Sequence, residues 1–141
     1  MCPAKTVDGQ QRGFVIPIGG AEERVKDPII LQRFVELCGG ENAYIVIIPT
    51  ASQLEETGPN YEDVFHELGV QKAISLPIND REEANSDEYL AELNKATGIF
   101  ITGGNQLRLS TILGGTPVAQ SIRSRNADGV HVAGTSAGAA I

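Results

Sequence analysis

The sequence predicts an α/β protein in which helices cover both faces of a parallel sheet. Short apolar segments alternate with segments of helical periodicity along the 141 residues. The segment "AYIVIIPT" is continuously apolar, which is typical of a strand that is buried on both faces of a parallel sheet. The length fits a single domain, residues 1–141, with right-handed crossover connections between its strands.

Local patterns predict five strands and five helices. The predicted strands, in order, are "GFVIPIGG", "AYIVIIPT", "KAISLPI", "GIFITGG" and "GVHVAG". The predicted helices are "DPIILQRFVELCGG", "YEDVFHELGV", "SDEYLAELNKATG", "NQLRLSTILGG" and "TPVAQSIRSRNADG". The strands and helices alternate, as a parallel sheet with crossover helices requires.

Residues with special capping roles support these boundaries. Ser86 is a candidate N-cap, Pro117 suits a first helical turn, and Gly39 can end a helix in the left-handed conformation. Residues 55–60 and 79–85 are predicted to be polar loops.

Composition excludes several classes of function. The formal net charge of −7 and the sequence pI of about 4.7 argue against nucleic-acid binding and against binding to an anionic membrane surface. No apolar run is long enough to span a bilayer, and the N-terminus lacks the apolar core of a secretory signal. Cys2 and Cys38 lack metal-type spacing, so we expect reduced thiols in a cytoplasmic protein.

The segment "VHVAGTSAGAAI" contains a candidate nucleophile. Ser136 lies in a Gly-x-Ser-x-Gly pattern after a predicted strand, which is the pattern of a nucleophile elbow. Small neighbours permit the tight turn that exposes the serine hydroxyl, and the backbone N–H of Ala137 can point at a developing oxyanion. The alternative interpretation is a tight turn whose serine only caps the next helix.

Two other glycine turns follow predicted strands. In "ITGGNQ", the N–H of Gly103 or Gly104 could complete an oxyanion hole, and Gln106 could bind a substrate amide or carboxylate. The alternative is a plain loop in which Asn105 caps the next helix. In "IGGAEER", Glu22 could face the site, although a solvated loop carboxylate fits equally well.

Neither histidine suits the role of general base. His131 precedes Ser136 by five positions within a strand, and His66 lies on a predicted helix surface. The sequence therefore contains a candidate nucleophile and no readable base.

Together, "FVIPIGGAEE", "IFITGGNQLRL" and "VAGTSAGAA" resemble the cyanophycinases, serine peptidases related to the dipeptidase E group. The resemblance implies an α/β sandwich similar to class I glutamine amidotransferases. It also implies hydrolysis of cyanophycin, a poly-aspartate chain that carries arginine on its side-chain carboxyls, to β-aspartyl-arginine dipeptides.

The same resemblance implies the roles of particular residues. Ser136 would be the nucleophile, Gly103 or Gly104 with Ala137 the oxyanion donors, and Gln106 a substrate-binding residue. It further implies an enzyme without metal or organic cofactor, commonly a homodimer and intracellular.

One departure from the family limits these implications. The family's catalytic histidine lies downstream of the serine, so we expect residues 1–141 to be the N-terminal part of a longer catalytic domain that is truncated after the elbow. We expect these residues alone to be inactive. The last strand should be central, with its far neighbours supplied from outside this chain.

Other functions stay open. An aspartyl dipeptidase of the dipeptidase E type is one, and a non-catalytic ligand-binding protein or relic is another. Arg108 could meet an aspartyl carboxylate, but a solvent-facing or structurally paired arginine is the favoured interpretation. A glutamine amidotransferase would need cysteine in place of Ser136.

Overall fold

The computed structural model describes residues 13–17 and 28–134, which contain five strands and five helices, with two consecutive helices between the last two strands. In chain order these are β1 (Val15–Pro17), α1 (Pro28–Leu37), β2 (Tyr44–Ile48), α2 (Thr57–Glu67), β3 (Lys72–Ser75), α3 (Asp87–Lys95), β4 (Gly98–Ile101), α4 (Gln106–Leu113), α5 (Pro117–Ala127) and β5 (His131–Gly134). Short 3-10 turns lie at Gly40–Asn42 and Glu83–Asn85.

All five strands form one parallel sheet in the order β1-β5-β4-β2-β3. The predicted parallel sheet is therefore confirmed, and β5 is an interior strand, second from the β1 edge. The expectation that the far neighbour of β5 comes from outside this chain is wrong, because β1 pairs with it from Val15↔Val132 to Pro17↔Gly134. Strand order depends on long-range pairing, which local patterns do not encode.

Helices cover both faces of the sheet, as the sequence predicts. Ile45 and Ile47 of β2 pack with α1 and α2, in a core that includes Phe34 and Phe65. The alternate residues of β2 face the opposite core, which α3, α4 and α5 supply. This alternation explains why the central strands are apolar at every position.

The predicted helix caps are confirmed. The Ser86 side chain accepts a hydrogen bond from a first-turn N–H of α3, and Thr116 does the same for α5, in which Pro117 is the first residue. Gly39 follows α1 with φ of 117°, in the left-handed region. None of the helices in the described ranges is long and apolar enough to cross a membrane.

Helix α2 begins earlier than the sequence predicts. Residues 57–60 are helical, so the predicted loop over 55–60 is wrong for this part. Pro59 is tolerated because it lies in the first turn, where a backbone N–H has no partner within the helix. A hydrogen bond of 2.7 Å between the Ser52 and Thr57 hydroxyls fixes the start of the helix.

Cys38 lies free in the core beside α1. Burial raises the pKa of its thiol to about 12. The thiol is therefore protonated and unreactive at neutral pH.

The buried side chain of Asn126 ties the start of β1 to the turn before β5. Its Nδ2 donates to the carbonyl oxygens of Gly13 (3.0 Å), Phe14 (3.2 Å) and Val130 (3.0 Å). The backbone carbonyl of Asn126 in turn accepts a hydrogen bond from the Gly13 N–H at 2.8 Å. One side chain thus pairs carbonyls from segments more than 100 residues apart in sequence.

Replacing Asn126 with alanine should lower the free energy of unfolding by about 2–4 kcal/mol, because three carbonyls lose a donor in a buried setting. Chemical denaturation measures the loss. The control is Asn94→Ala at an exposed position of α3, which should change stability by about 0.5 kcal/mol or less. Equal effects of the two substitutions would contradict this account of how β1 is held.

His131 holds the same segment from the other side. Its Nδ1 accepts a hydrogen bond from the Phe14 N–H at 2.9 Å, and the two rings stack at 5.1 Å. Burial lowers the pKa of His131 from 6.5. Only the neutral imidazole accepts this bond, so the native state disfavours protonation.

Stability should therefore fall as the pH drops through 6.5 toward the lower native pKa of His131, because the unfolded chain binds the proton first in this window. The measurement is the unfolding free energy from about pH 8 to about pH 5, for wild type and His131→Asn. His66 is unchanged in both proteins, so the difference between the two curves isolates His131. Parallel curves would show that His131 contributes nothing to the pH dependence.

Candidate active site

The turns after the central strands meet at the carboxyl edge of the sheet. Gly134 of β5 pairs with Ile101 of β4, and Ile101 pairs with Ile48 of β2. The turn after β4 therefore lies between the turn after β2 and the end of β5 at Gly134. In open parallel sheets, this edge is where ligands bind.

Several predicted site residues fall outside the described part of the chain. Ser136 and Ala137 are two and three residues after Gly134 in the sequence, and Glu22 is five residues after the end of β1. Their predicted roles stay predictions. The structure does describe the strand that leads to Ser136 and its position in the sheet.

The turn after β4 contains two backbone N–H groups, those of Gly103 and Gly104, that have no acceptor among the described residues. The N–H of Thr102 donates to the Ile48 carbonyl at 3.1 Å, and that of Asn105 donates to the Ala51 carbonyl at 2.8 Å. Between them, the N–H groups of Gly103 and Gly104 donate to no acceptor within residues 13–17 and 28–134. Gly104 is exposed, so its N–H can reach a ligand.

Glycine is required at position 104 for two reasons. Its φ is +145°, a conformation that residues with a side chain rarely adopt. A Cβ there would also overlap the backbone carbonyl of Ala51. The turn after β4 therefore packs directly on the turn after β2, which fixes where the two N–H groups point.

Gln106 begins α4 at the same edge and is exposed. Asn105 caps the helix, since its side chain accepts the Arg108 N–H at 3.0 Å. The capping interpretation of Asn105 is thus confirmed. It is compatible with a ligand-binding role for Gln106, which is the next residue.

Arg108 is structurally paired, as the favoured interpretation holds. Its Nε donates to the Thr50 carbonyl at 2.9 Å, and its Nη2 donates to Asn79 Oδ1 at 3.3 Å. These partners follow β2 and β3. Arg108 therefore links three strand ends, and sequence reasoning does not find these partners because they are 58 and 29 residues away.

Two buried threonines at this edge are also missed by sequence reasoning. Thr50 and Thr102 are 2% and 0% exposed, and their Oγ1 atoms have no hydrogen-bond partner among the described residues. The available signal is that a threonine ends each of two apolar runs, "IVIIPT" and "GIFIT". A polar residue at the end of a buried strand indicates an edge where polar groups are needed.

A cavity of about 280 Å³ opens beside these residues, at the ends of β2 and β3. It is lined by Pro49, Thr50, Ser52, Gln53, Leu54, Glu55, Pro77, Ile78 and Asn79. Within the described ranges, no group of three or more His, Cys, Asp or Glu side chains could hold a metal ion.

Both histidines lie away from this edge. His131 is the first residue of β5, and His66 is in the last turn of α2 with its Nδ1 2.9 Å from the Val70 carbonyl oxygen, ahead of β3. The amino edge has its own polar network, in which Tyr44 donates to Glu92. Burial, and then Glu92, raise the pKa of Tyr44 to about 12.

The chain was compared with known protein families. The model of peptidase family S51 matches residues 15–141. The chain belongs to this family. The match includes the strands β1 to β5 and all three glycine turns, so the predicted family membership is confirmed.

Curated relatives within this family carry the name cyanophycinase. The protein of Synechococcus elongatus is 42% identical over 132 residues, which are 92% of this chain and 41% of that protein. Those of Trichormus variabilis and Geminocystis herdmanii are each 44% identical, over 90% and 92% of this chain and 43% and 48% of theirs. The chain thus spans less than half the length of these relatives.

Solved structures confirm the fold of this S51 chain. A peptidase from an acI-B1 Actinobacterium matches with a TM-score of 0.76 and 26% identity, over 92% of this chain and 56% of that one. A putative peptidase E protein from Listeria monocytogenes EGD-e has a TM-score of 0.65 at 24% identity, over 91% of this chain and 60% of that one. The second likeness concerns the fold alone.

Replacing Gly104 with alanine should destabilise the protein by about 2–4 kcal/mol, since the added methyl group meets both an unfavourable φ and a backbone carbonyl. Thermal or chemical unfolding measures the change. The matched control is Gly69→Ala, whose φ of +96° is also unfavourable but whose Cβ would meet nothing within 4 Å. The control variant should lose only about 1–2 kcal/mol of unfolding free energy. If both variants lose the same amount, close packing on Ala51 does not shape this turn.

Proposed function

We propose that this S51 chain carries the nucleophile and the oxyanion donors of a serine peptidase that hydrolyses cyanophycin. The observation that supports it best is the pairing of Gly134 with Ile101. In this register Gly134, which is two residues before Ser136 in the sequence, lies beside the strand that leads into the turn whose Gly103 and Gly104 N–H groups donate to nothing in the described part.

The proposed reaction is acyl transfer. The Ser136 hydroxyl attacks the scissile carbonyl and loses its proton to a general base, and the carbonyl oxygen becomes an oxyanion. Backbone N–H groups of Ala137 and of Gly103 or Gly104 donate hydrogen bonds to that oxyanion. The leaving amine takes the proton from the protonated base, and water then hydrolyses the acyl-enzyme.

Gln106 is the proposed substrate-binding side chain. It is exposed at the edge where Gly103 and Gly104 present their N–H groups, and α4 fixes its backbone. Its amide can donate to a substrate carboxylate and accept from a substrate amide. It would orient the substrate without taking part in proton transfer.

We also propose that residues 1–141 alone do not turn over substrate at enzyme-like rates. A general base has to approach the serine hydroxyl to about 2.6–3.2 Å. His131 is at the amino end of β5, and His66 lies ahead of β3. The base would then come from residues outside this sequence.

The choice of cyanophycin as substrate rests on the relatives. Three of them bear the name cyanophycinase at 42–44% identity over 90–92% of this chain. We propose, from the resemblance of the sequence motifs to the cyanophycinases, a homodimeric and cytoplasmic enzyme without a cofactor. An aspartyl dipeptidase is the competing assignment, and the test below includes its substrate.

The test is release of β-aspartyl-arginine from purified cyanophycin by the complete gene product that contains these residues. Ser136→Ala should lower kcat by about 10⁴-fold or more, because the attacking oxygen is removed. The matched control is Ser124→Ala at an exposed position of α5, which should retain full activity. An N-terminal aspartyl dipeptide, assayed in parallel, distinguishes the two substrates.

Three results would contradict parts of this proposal. Unchanged hydrolysis by the Ser136→Ala variant would contradict the proposed serine mechanism. Faster cleavage of the aspartyl dipeptide than of cyanophycin would make the aspartyl dipeptide the assigned substrate instead of cyanophycin. Enzyme-like turnover by residues 1–141 alone would show that they contain their own base.

A further inference from the structure

We propose that Arg108 and Arg81 are positioning residues for the peptidase reaction. They hold helix α4 at its two ends, so that Gln106 and the N–H groups of Gly103 and Gly104 keep their places at the carboxyl edge of the sheet. The roles of Gln106 and the two glycines rest on the proposed function, whereas the contacts that hold α4 do not. Neither arginine needs to touch the substrate.

Helix α4 is short and follows the glycine turn directly. It spans Gln106–Leu113, and its buried side chains Leu109, Ile112 and Leu113 pack in the core that α3, α4 and α5 supply. Apolar packing has no preferred direction, so it keeps the helix on the sheet without fixing its position along its own axis. Directional hydrogen bonds at the two ends can fix that position. A shift of α4 along its axis would move Gln106 and the turn before it.

The first turn of α4 is bonded to the ends of two strands. The Asn105 N–H donates to the Ala51 carbonyl at 2.8 Å, and the Asn105 side chain accepts the Arg108 N–H at 3.0 Å. The Arg108 side chain is half-buried, and its Nε donates to the Thr50 carbonyl at 2.9 Å. Its Nη2 donates to Asn79 Oδ1 at 3.3 Å. The planar guanidinium thus ties this turn to the residues that follow β2 and β3.

The last turn of α4 is held by Arg81, which follows β3. One nitrogen of its guanidinium, Nη1, donates to the carbonyl oxygens of Thr111 and Gly114, each at 2.9 Å. The last carbonyls of a helix have no backbone donor within the helix, and a cation beside them interacts favourably with the helix dipole. The last turn of α4 contains no basic residue, so Arg81 supplies the cation from another segment.

Both ends of α4 therefore contact one short segment, residues 79–81. Asn79 accepts from Arg108 at one end of the helix, and Arg81 donates at the other. Hydrogen bonds hold this segment in turn. Asp80 Oδ1 accepts the Glu83 N–H at 2.8 Å, and Glu83 Oε1 accepts the Asn79 N–H at 3.2 Å. Contacts from one segment to both ends oppose sliding and tilting of the helix.

Small movements of α4 should matter because oxyanion stabilisation depends strongly on geometry. Donors have to lie about 2.7–3.1 Å from the developing oxyanion, and a displacement of about 1 Å can lower a rate by about 100-fold. Gly103 and Gly104 precede the helix cap Asn105 in the sequence, so movement of the helix passes to them through the backbone. The two arginines would therefore affect the reaction without contacting the reacting atoms.

The experiment measures kcat and KM for release of β-aspartyl-arginine from cyanophycin by the complete gene product and its Arg108→Gln and Arg81→Gln variants. All assays run well below the melting temperature of the least stable variant, so that every protein is folded. Each substitution should lower kcat/KM about 10-fold or more, mainly through kcat, because the oxyanion donors are displaced. Arg33→Gln removes the same charge from an exposed position of α1 and should retain full activity.

Two comparisons separate positioning from a general loss of stability. Arg81→Lys should recover most of the activity, because a single ammonium group can donate to both carbonyls that Nη1 contacts. Arg108→Gln should lower kcat/KM by a smaller factor in a Gln106→Ala background than in the wild type, since residues that act through one another are not additive. A residue that only stabilises the fold would show the same factor in both backgrounds.

NMR gives a measurement that does not depend on hydrolysis. In protein labelled at its glycine amides, the resonances of Gly103 and Gly104 should shift in Arg108→Gln and in Arg81→Gln. They should stay unchanged in Arg33→Gln, which lies on the opposite face of the sheet from α4. If Arg108→Gln fails to fold, Arg108→Lys and Arg81→Gln take its place.

Wild-type kcat/KM in both glutamine variants would overturn the inference, and so would equal factors for Arg108→Gln with and without Gln106. Unmoved resonances of Gly103 and Gly104 would overturn it as well. These results leave the proposed function intact if Ser136→Ala abolishes hydrolysis. Shifted glycine resonances in a protein that hydrolyses nothing would instead support the holding of α4 by the two arginines and reject the peptidase.

Discussion

Pairing of β5 with both β1 and β4 is the constraint on which the rest of the structure depends. β5 has only four residues, and three of them are buried. Val132 packs into the core of α3–α5 and Ala133 into that of α1 and α2, so a shift by one residue would exchange the two faces. The fixed register sets Gly134 beside Ile101, and this pairing determines where the following segment leaves the sheet.

Both edges of the sheet carry buried polar groups. At the amino edge, Asn126 and His131 pair the backbone of the segment that leads into β1, and Tyr44 pairs with Glu92. At the carboxyl edge, the hydroxyls of Thr50 and Thr102 have no partner in the described part. The amino edge also holds buried atoms without a partner among the described residues, Asn126 Oδ1 and Arg125 Nε, so unpartnered polar groups do not by themselves mark the ligand-binding edge.

Local sequence signals predict the elements of this fold well, and its long-range contacts poorly. Ser86 and Gly39 mark their helix ends because capping depends on neighbouring residues only. The start of α2 is predicted too late because Pro59 and Gly58 are usual in loops, yet the first turn of a helix accepts both. The glycine turn at 103–104 could be predicted from its spacing. The partners of Arg108 could not, because they come from strands that only the folded sheet brings together.

The position of His131 further distinguishes the roles of the two sheet edges. His131 begins β5 and Gly134 ends it. At about 3.3 Å per residue, the backbone of His131 therefore lies about 10 Å from the carboxyl edge. Its Nδ1 is also occupied by the Phe14 N–H, which requires the neutral ring. A group placed and bonded in this way supports the attachment of β1, and its distance from the carboxyl edge argues against a role as general base there. The proposed chemistry therefore divides between this sheet, which holds the nucleophile, the oxyanion donors and the binding groups, and another segment that supplies the base.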